Sequence, residues 1–188
     1  MSSYKAIGKQ KFSSNQYAIV PIRYEDRLSI LHWRNDQIYH LRQDKPLNEA
    51  DQDHYFKTIV NDLFNKEKPN QLIFSFLEDN KCIGYGGLVH INWIDKNAEI
   101  SFVMETKLEK NNFARHWKTF LHLIEEVAFK ELKFYKIFTF AYDLRPHLYA
   151  PIEASGFERE AVLKKHCYFN GAFKDVIIHS KFNNFEDI

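Results

Sequence analysis

Two side chains that can carry a proton lie on either side of a predicted turn. Glu99 belongs to one alternating strand pattern, and His90 belongs to the pattern before it. The turn closes if Asn92 opposes Asn97, and in that register His90 lies directly opposite Glu99. Such a pair could relay a proton, with the carboxylate setting the tautomer of the imidazole. The alternative is an exposed ion pair, and a one-residue register shift would move His90 to the other face.

The segment that follows Glu99 has the pattern of an anion site. The strand at residues 98–104 runs into a polar connector, residues 105–112, that contains no glycine and no proline. The first N–H groups of a helix are unpaired, and the helix dipole favours an anion there. The alternative is a core strand followed by a core helix. A long amphipathic helix is predicted by the apolar spacing of Phe113, Trp117, Phe120, Leu121, Ile124, Val127 and Ala128.

A third polar cluster, residues 143–147, lies where a predicted strand meets a short helix. Pro146 suits the first position of that helix. Strand ends often line clefts, so Arg145 could bind an anionic ligand. Asp143 could instead serve only as the helix cap.

The composition excludes several classes of protein. The chain has 188 residues, which is enough for one domain with a real core, and its net charge is +1 without any charged block. That balance argues against a nucleic-acid partner. Cys82 and Cys167 form no C-x-x-C motif, and the histidines lack H-E-x-x-H spacing, so no disulfide scaffold and no metal site are predicted. Without an apolar signal or membrane span, we expect a cytoplasmic protein with no membrane partner.

The hydrophobic periodicity predicts the element order β-α-α-β-β-β-α-β-α-β-β. This order indicates a single α/β domain with a mixed, mostly antiparallel twisted sheet flanked by helices. We expect a loose lead-in over residues 1–16, the domain over residues 17–182 and a tail over residues 183–188. The Asn170-Gly171 pair predicts a type I′ turn in the last hairpin.

Several local signatures occur together in a fixed order along residues 17–181. They are Trp33-Arg34-Asn35, Cys82-Ile83-Gly84-Tyr85-Gly86-Gly87, Ala98-Glu99-Ile100-Ser101-Phe102, Gly156-Phe157, and Asn170-Gly171 with Asp175. Their order and spacing resemble the GNAT superfamily of acyl-CoA-dependent N-acyltransferases. The branch that the chain most resembles contains ribosomal-protein N-terminal acetyltransferases and amino-sugar acetyltransferases.

The resemblance implies an N-acetyltransferase that uses acetyl-CoA as co-substrate, with direct attack of an amine on the thioester. Glu99, directly or through a water, would take the amine proton with help from His90. Tyr149 would protonate the departing thiolate, the alternative being a packing tyrosine. Backbone groups of three strand residues would bind the pantetheine arm and supply an oxyanion donor: Phe102, Val103 and Met104.

The glycine motif that binds pyrophosphate in the resembling family has no counterpart here, because the chain has no glycine between Gly87 and Gly156. Glycine lets phosphate oxygens approach the backbone closely. Other groups would have to replace it, and the arginine at position 115 is best suited to a phosphate. The alternative is a solvated loop. The candidate residues are Asn112, Phe113, Arg115, His116 and Arg145.

On the acceptor side, the resemblance places Trp33, Arg34 and Arg42. Two arginines would suit a phosphate- or carboxylate-bearing small-molecule amine, for instance a nucleotide-linked amino sugar of a surface-polysaccharide pathway. The alternative is a pair of surface arginines. Two further hypotheses stay open, namely acetylation of a protein N-terminus and a catalytically inactive GNAT-fold binding module. Either a monomer or a homodimer is compatible with the sequence.

Overall fold

Eight strands form one sheet within residues 2–41 and 43–183, the parts of the chain that this computed structural model describes. They are β1 (Phe12–Ser14), β2 (Tyr17–Pro21), β3 (Leu72–Glu78), β4 (Lys81–Asn92), β5 (Asn97–Met104), β6 (Lys136–Tyr142), β7 (Glu158–Phe169) and β8 (Ala172–Phe182). Their order across the sheet is β1-β2-β3-β4-β5-β6-β8-β7. All neighbours are antiparallel except β5 and β6, which are parallel. The predicted mixed, mostly antiparallel sheet is confirmed.

Helices cover both faces of this sheet, as expected. Asn48 caps one of them, since its side-chain oxygen accepts from the backbone N–H of Asp51 at 2.9 Å. A π-helical segment, Phe56–Val60, joins two of the helices, and another, Glu126–Glu131, extends the longest one. The helices are α1 (Arg27–Asp36), α2 (Ile38–Leu41), α3 (Glu49–Tyr55), α4 (Asn61–Asn65), α5 (Thr106–Glu125) and α6 (Tyr149–Glu153).

The two faces of the sheet belong to different cores. On one face, Phe76 and Phe102 pack against Phe120 of α5, with ring centroids 5.7 and 4.4 Å from that of Phe120. On the other face, Tyr85 and Val103 belong to a cluster with buried residues of α1 and the π-helical segment. Side chains alternate between faces along a strand, so the odd-numbered residues of β5 share the face of Val103. That face therefore carries Glu99 and Ser101.

The parallel strands β5 and β6 separate soon after they meet. Only three pairs join them, Asn97 with Lys136, Ala98 with Ile137 and Glu99 with Phe138. Beyond that point β6 continues to pair with β8, and β5 continues to pair with β4. The sheet therefore opens between β5 and β6, directly after Glu99.

The polar connector predicted at residues 105–112 is wrong. The helix α5 already begins at Thr106, because Lys107, Leu108 and Glu109 are good helix formers and no breaker interrupts them. The polar residues occupy the solvent side of the first turns, while Leu108 packs against the core. The absence of glycine is the ordinary composition of a helix here.

The N-terminal segment differs from the loose lead-in expected over residues 1–16. Tyr4 is only 1% exposed, and its hydroxyl donates to the carbonyl of Ile73 at 2.7 Å. The same hydroxyl accepts from the backbone N–H of Ile73 at 3.0 Å. Further along, Phe12–Ser14 form the edge strand β1. The segment is therefore anchored to β3 and to β2.

We expect Tyr4→Phe to lower the free energy of unfolding by about 1–3 kcal/mol, because the N–H of Ile73 loses its acceptor in a buried place. Urea denaturation measures the loss. Tyr24→Phe is the matched control, since its hydroxyl makes an exposed contact with Asp53 at 3.2 Å. Equal stability of the two variants would contradict the anchoring role of Tyr4.

Candidate active site

A cleft of about 220 Å³ lies where β5 and β6 separate. Residues 99–102 of β5 form one wall and residues 139–142 of β6 form the other. Helix α5 closes one side with Phe113 and Trp117. The remaining lining residues are His40, Leu41, Arg145 and Leu148.

Glu99 contacts His90 at the narrow end of this cleft. The imidazole Nδ1 lies 2.8 Å from the carboxylate Oε2. The register behind this contact differs from the prediction, because Val89, and not His90, is the partner of Glu99. The ladder is irregular between Val89 and Asn92, and His90 has a φ of +49°. This bulge turns the imidazole back towards the carboxylate.

The two members of that pair differ in exposure. The Glu99 side chain is 20% exposed, whereas the His90 side chain is 77% exposed. The carboxylate therefore faces the cleft from a mostly enclosed position, and the imidazole links it to solvent. Such a pair can take a proton inside the cleft and release it outside.

Two buried N–H donors belong to residues of the cleft wall and have no acceptor within the described part of the chain. They are Nε1 of Trp117 and Nε of Arg145. A buried donor without an acceptor is costly and rare in a folded protein. A ligand with carbonyl or phosphate oxygens fits these donors, and acyl-CoA supplies both kinds of oxygen.

Arg145 lies in a charged cluster at the wide end of the cleft. Its side chain is 8% exposed, and its guanidinium contacts the carboxylate of Glu109. His147 Nε2 lies 3.3 Å from the same carboxylate. The guanidinium carbon also lies 5.2 Å from the ring centroid of Phe113, within the range of a cation–π contact.

His40 meets this cluster from α2. Its Nε2 lies 3.0 Å from Oε1 of Gln37 and 3.2 Å from Nη1 of Arg145. Burial, together with the nearby charges of Arg145 and His147, lowers the pKa of His40 to about 3. The imidazole is therefore neutral at physiological pH.

This depressed pKa predicts a loss of stability in acid. Between about pH 6.5 and pH 3 the unfolded chain binds a proton at His40 and the folded chain does not, so stability falls as the pH falls. One such group contributes at most about 1.4 kcal/mol per pH unit. We expect His40→Gln to flatten the pH dependence of urea unfolding between pH 6 and pH 4, roughly the window in which the two states differ in protonation. The exposed His32→Gln is the control, and an unchanged slope in His40→Gln would contradict the assignment.

A second cavity, of about 300 Å³, adjoins the cleft at Ser101, which lines both. Arg34 donates from Nη1 to the hydroxyl of Tyr85 at 2.7 Å. It also donates to Oε1 of Gln43 from Nε at 3.2 Å and from Nη2 at 3.0 Å. Further polar groups of this cavity come from Asp51, Gln52, Tyr55 and Gln71.

Of the residues predicted on the acceptor side, only one is seen to line the second cavity. Arg34 lines the second cavity. Trp33 is 8% exposed and packs in the core beneath it, since it belongs to the cluster with Ile30 and Tyr85. Arg42 lies outside the described residues.

Tyr149, predicted as the general acid, does not line the cleft. Its hydroxyl donates to Oδ1 of Asp143 at 2.8 Å, and its ring stacks on His179 at 5.5 Å. Burial and the Asp143 contact raise the pKa of the Tyr149 hydroxyl. Tyr142, at the end of β6, is the tyrosine that lines the cleft.

The predicted phosphate ligands on α5 point in several directions because the segment is helical. Asn112, Arg115 and His116 do not line the cleft, whereas Phe113 does. His116 is fully buried against Tyr17, with ring centroids 5.7 Å apart, and burial lowers its pKa. Nη2 of Arg115 lies 3.5 Å from Oε1 of Glu78, on the same side of α5 as His116.

Several residues of the two cavities were absent from the sequence-based candidates, among them Ser101, Tyr85 and His40. Ser101 could have been found from the strand alternation, because it shares the face of Glu99. Tyr85 lies in the quoted glycine-rich strand without a predicted role. His40 carries no sequence signal, because its position depends on how α2 meets Arg145.

Comparison with known families identifies the family of this chain. The profile of the acetyltransferase (GNAT) domain matches residues 19–178. The chain belongs to the GNAT acetyltransferase family. It is therefore an acetyl-CoA-dependent N-acetyltransferase that acts on an amine. No curated protein matches the sequence of this acetyltransferase.

Solved structures share the fold of this acetyltransferase. Spermidine N-acetyltransferase from Vibrio cholerae, in complex with CoA and spermine, has a TM-score of 0.76 at 19% identity, covering 90% of this chain and 97% of that chain. A dodecameric structure of the Vibrio cholerae enzyme in an intermediate state has a TM-score of 0.72 at 20% identity, covering 90% and 95%. Structural similarity at such low identity shows the fold.

Within the described residues of this acetyltransferase, no helix is long and apolar enough to cross a membrane. No group of three or more His, Cys, Asp or Glu residues in that part is placed to hold a metal ion.

Proposed function

We propose that the acetyltransferase binds acetyl-CoA in the cleft between β5 and β6 and a small primary amine in the second cavity. The observation that carries this proposal is the position of Glu99 and Ser101. Ser101 lines both cavities, and Glu99 lies two residues before it on the same face of β5. An amine in one cavity and a thioester in the other would meet beside this carboxylate, and much of the rate comes from such juxtaposition.

Glu99 takes the proton of the attacking amine in this proposal, directly or through one water. The amine nitrogen bonds to the carbonyl carbon, and the bond from that carbon to sulfur breaks. His90 passes the proton from the carboxylate to solvent. The departing thiolate receives a proton from Tyr142 or from water, so Tyr142 replaces Tyr149 as the candidate acid.

The edge of β5 that β6 leaves supports the proposed backbone role most directly at Phe102. Because β6 has separated, the edge groups of Phe102 can bond to an amide of the pantetheine arm, as a strand bonds to a neighbour. The carbonyl of Met104 accepts from Nε2 of Gln37 at 2.8 Å, and Val103 pairs with Tyr85 of β4. Arg145, with its unpartnered Nε, is placed for the phosphates at the wide end. Phe113 forms the wall beside it.

The chemistry of the second cavity favours an amino sugar as the acceptor. Its polar lining combines one guanidinium and one carboxylate, Arg34 and Asp51, with two phenols, two amides and a hydroxyl. Neutral groups of this kind bond to sugar hydroxyls. Since Arg34 donates to Tyr85, the Tyr85 hydroxyl has its own proton left to donate. Arg34 would also suit a phosphate, so a nucleotide-linked sugar and the amino-sugar branch are part of the proposal.

A polyamine is the second candidate, because the structural neighbours are named as spermidine N-acetyltransferases. A polyamine carries several ammonium groups and needs several carboxylates. The second cavity offers only Asp51 among its lining residues, and Arg34 would repel a cation. The cavity therefore favours the sugar over the polyamine.

Release of free thiol from acetyl-CoA in the presence of different amines tests the proposal. We expect turnover with glucosamine-type sugars, free or nucleotide-linked, and little with spermidine or with a peptide bearing a free N-terminus. Arg34→Gln should weaken use of the nucleotide-linked sugar more than use of the free sugar. Spermidine as the best acceptor would reverse the assignment. Absence of thiol release with every amine would favour an inactive binding module.

We propose a monomer or a homodimer as the assembly. The Vibrio cholerae enzyme has been solved as a dodecamer. Light scattering after gel filtration gives the molar mass, which distinguishes a monomer or homodimer from a dodecamer.

A further inference from the structure

We propose that the indole N–H of Trp117 donates a hydrogen bond to an amide carbonyl of the pantetheine arm of acyl-CoA. The inference rests on the proposed position of acyl-CoA in the cleft between β5 and β6. It assigns a binding role to a residue that belongs otherwise to the core stripe of α5. Three observations carry it.

The first observation is the unpartnered donor. Nε1 of Trp117 is buried and has no acceptor within the described residues. The indole of Trp93, also partly buried, donates from Nε1 to the carbonyl of Pro69 at 2.8 Å. Indole N–H groups in folded proteins usually have such a partner. Trp117 lacks one although it lines a cleft, which indicates that a ligand supplies the acceptor.

The second observation is the position of Trp117 along the cleft. Its ring stacks on Phe102, with centroids 5.2 Å apart and an interplanar angle of 19°. Phe102 is three residues beyond Glu99, which is about 10 Å along an extended strand. In the other direction, Phe113 lies one helical turn before Trp117, about 6 Å along the axis, and contacts Arg145. Trp117 is therefore placed between the carboxylate end and the arginine end.

The third observation concerns which oxygen is available at that level. The thioester would lie near Glu99 and the phosphates near Arg145. Between them, the pantetheine arm carries two amide groups, and an amide carbonyl is a good acceptor for an indole N–H. The side chains around the indole, Phe102, Phe113 and Phe120, carry no acceptor. An amide carbonyl of the arm is thus the group that completes this site.

Trp117→Phe tests the inference, because it removes the N–H and keeps an aromatic ring. We expect the Kd for CoA, measured by calorimetry, to rise about tenfold, the loss of one buried hydrogen bond. The Kd for 3′-phospho-ADP, which is the nucleotide part of CoA without the arm, should stay unchanged. Arg145→Gln should weaken both ligands. Trp93→Phe is the matched control and should leave both Kd values unchanged.

Wild-type protein gives a second measurement that needs no folded variant at position 117. The chain contains three tryptophans, so ¹⁵N-labelled protein gives three indole N–H signals, assigned with Trp93→Phe and Trp33→Phe. On addition of CoA, the Trp117 signal should shift downfield and exchange more slowly with solvent. The Trp93 signal should stay in place, because its acceptor is Pro69 in both states.

The outcomes separate this inference from the function on which it rests. If wild-type protein binds no CoA, the proposed position of acyl-CoA and the role of Trp117 both fail. If CoA binds equally to wild-type protein and Trp117→Phe, or if the Trp117 signal does not move, only the Trp117 assignment is overturned. Equal weakening of CoA and 3′-phospho-ADP in Trp117→Phe would also overturn it, since that result reflects general damage to the cleft.

Discussion

Glu99→Gln is expected to lower kcat by about 10²–10⁴-fold, the usual contribution of a positioned general base, while the Kd for CoA stays unchanged. Glutamine keeps the shape and can still accept from His90, but it cannot take a proton from the amine. The split between kcat and Kd follows because the carboxylate acts on the amine and has no proposed contact with CoA. Steady-state kinetics and calorimetry on the same variant measure both quantities.

Two comparisons sharpen this result. His90→Gln should have a smaller effect on kcat than Glu99→Gln, because the imidazole is 77% exposed and solvent can replace it as the proton exit. Glu158→Gln, an exposed carboxylate at the start of β7, should leave kcat unchanged. Wild-type turnover in Glu99→Gln would remove this residue from the mechanism.

Arg145→Met is expected to lower the free energy of unfolding by about 3 kcal/mol, because it leaves the Glu109 carboxylate in a largely buried place with only the half-exposed His147 beside it. The side chains of the pair are 8% and 17% exposed. The same change should raise the Kd for CoA, since the cleft loses the cation that is proposed to bind the phosphates. Chemical denaturation and CoA titration measure the two effects.

The double variant Arg145→Met/Glu109→Leu identifies the cause of this destabilisation. Removal of both charges leaves no unpaired carboxylate, so the double variant should recover much of the stability without recovering CoA binding. Arg159→Met, an exposed arginine on β7, is the matched control and should change neither quantity. If all three variants lose a similar small amount of unfolding free energy, the Arg145–Glu109 pair behaves like an exposed ion pair, which would contradict this explanation.

The fold was predictable because its signals are local. Apolar spacing of three and four marks α5, and the Asn170-Gly171 turn has positive φ at both residues, as type I′ requires. The glycine-rich strand β4 is a further local signal. A Cβ on Gly86 would lie 2.2 Å from the carbonyl oxygen of Ser101, so only glycine fits beside β5 there.

The start of α5 was not predictable from composition, because a polar segment is compatible with a loop and with an exposed helical turn. Residues 105–112 are polar because one side of an exposed helical turn faces water, and a polar helix surface is as ordinary as a polar loop. Once that segment is helical, Arg115 and His116 turn away from the cleft. The expected phosphate ligands therefore followed from a wrong secondary structure.

The active site was only partly predictable. Glu99 and His90 make contact, but through a bulge at His90. The sequence does not predict this bulge, since histidine at positive φ is uncommon but allowed. The unpartnered donor of Trp117 had no sequence signal at all. Whether a buried N–H lacks an acceptor depends on every neighbour in the fold, and periodicity places Trp117 simply in the core.

Thermal unfolding with and without CoA tests most directly whether the cleft between β5 and β6 is the acyl-CoA site. CoA at about 100 times its Kd should stabilise the wild-type protein by roughly 2.7 kcal/mol and raise its Tm accordingly. Ala141→Trp, which fills the cleft, should abolish the shift, whereas Ala172→Trp on the exposed hairpin should keep it. An unchanged Tm of wild-type protein in millimolar CoA, or a full shift in Ala141→Trp, would contradict the account.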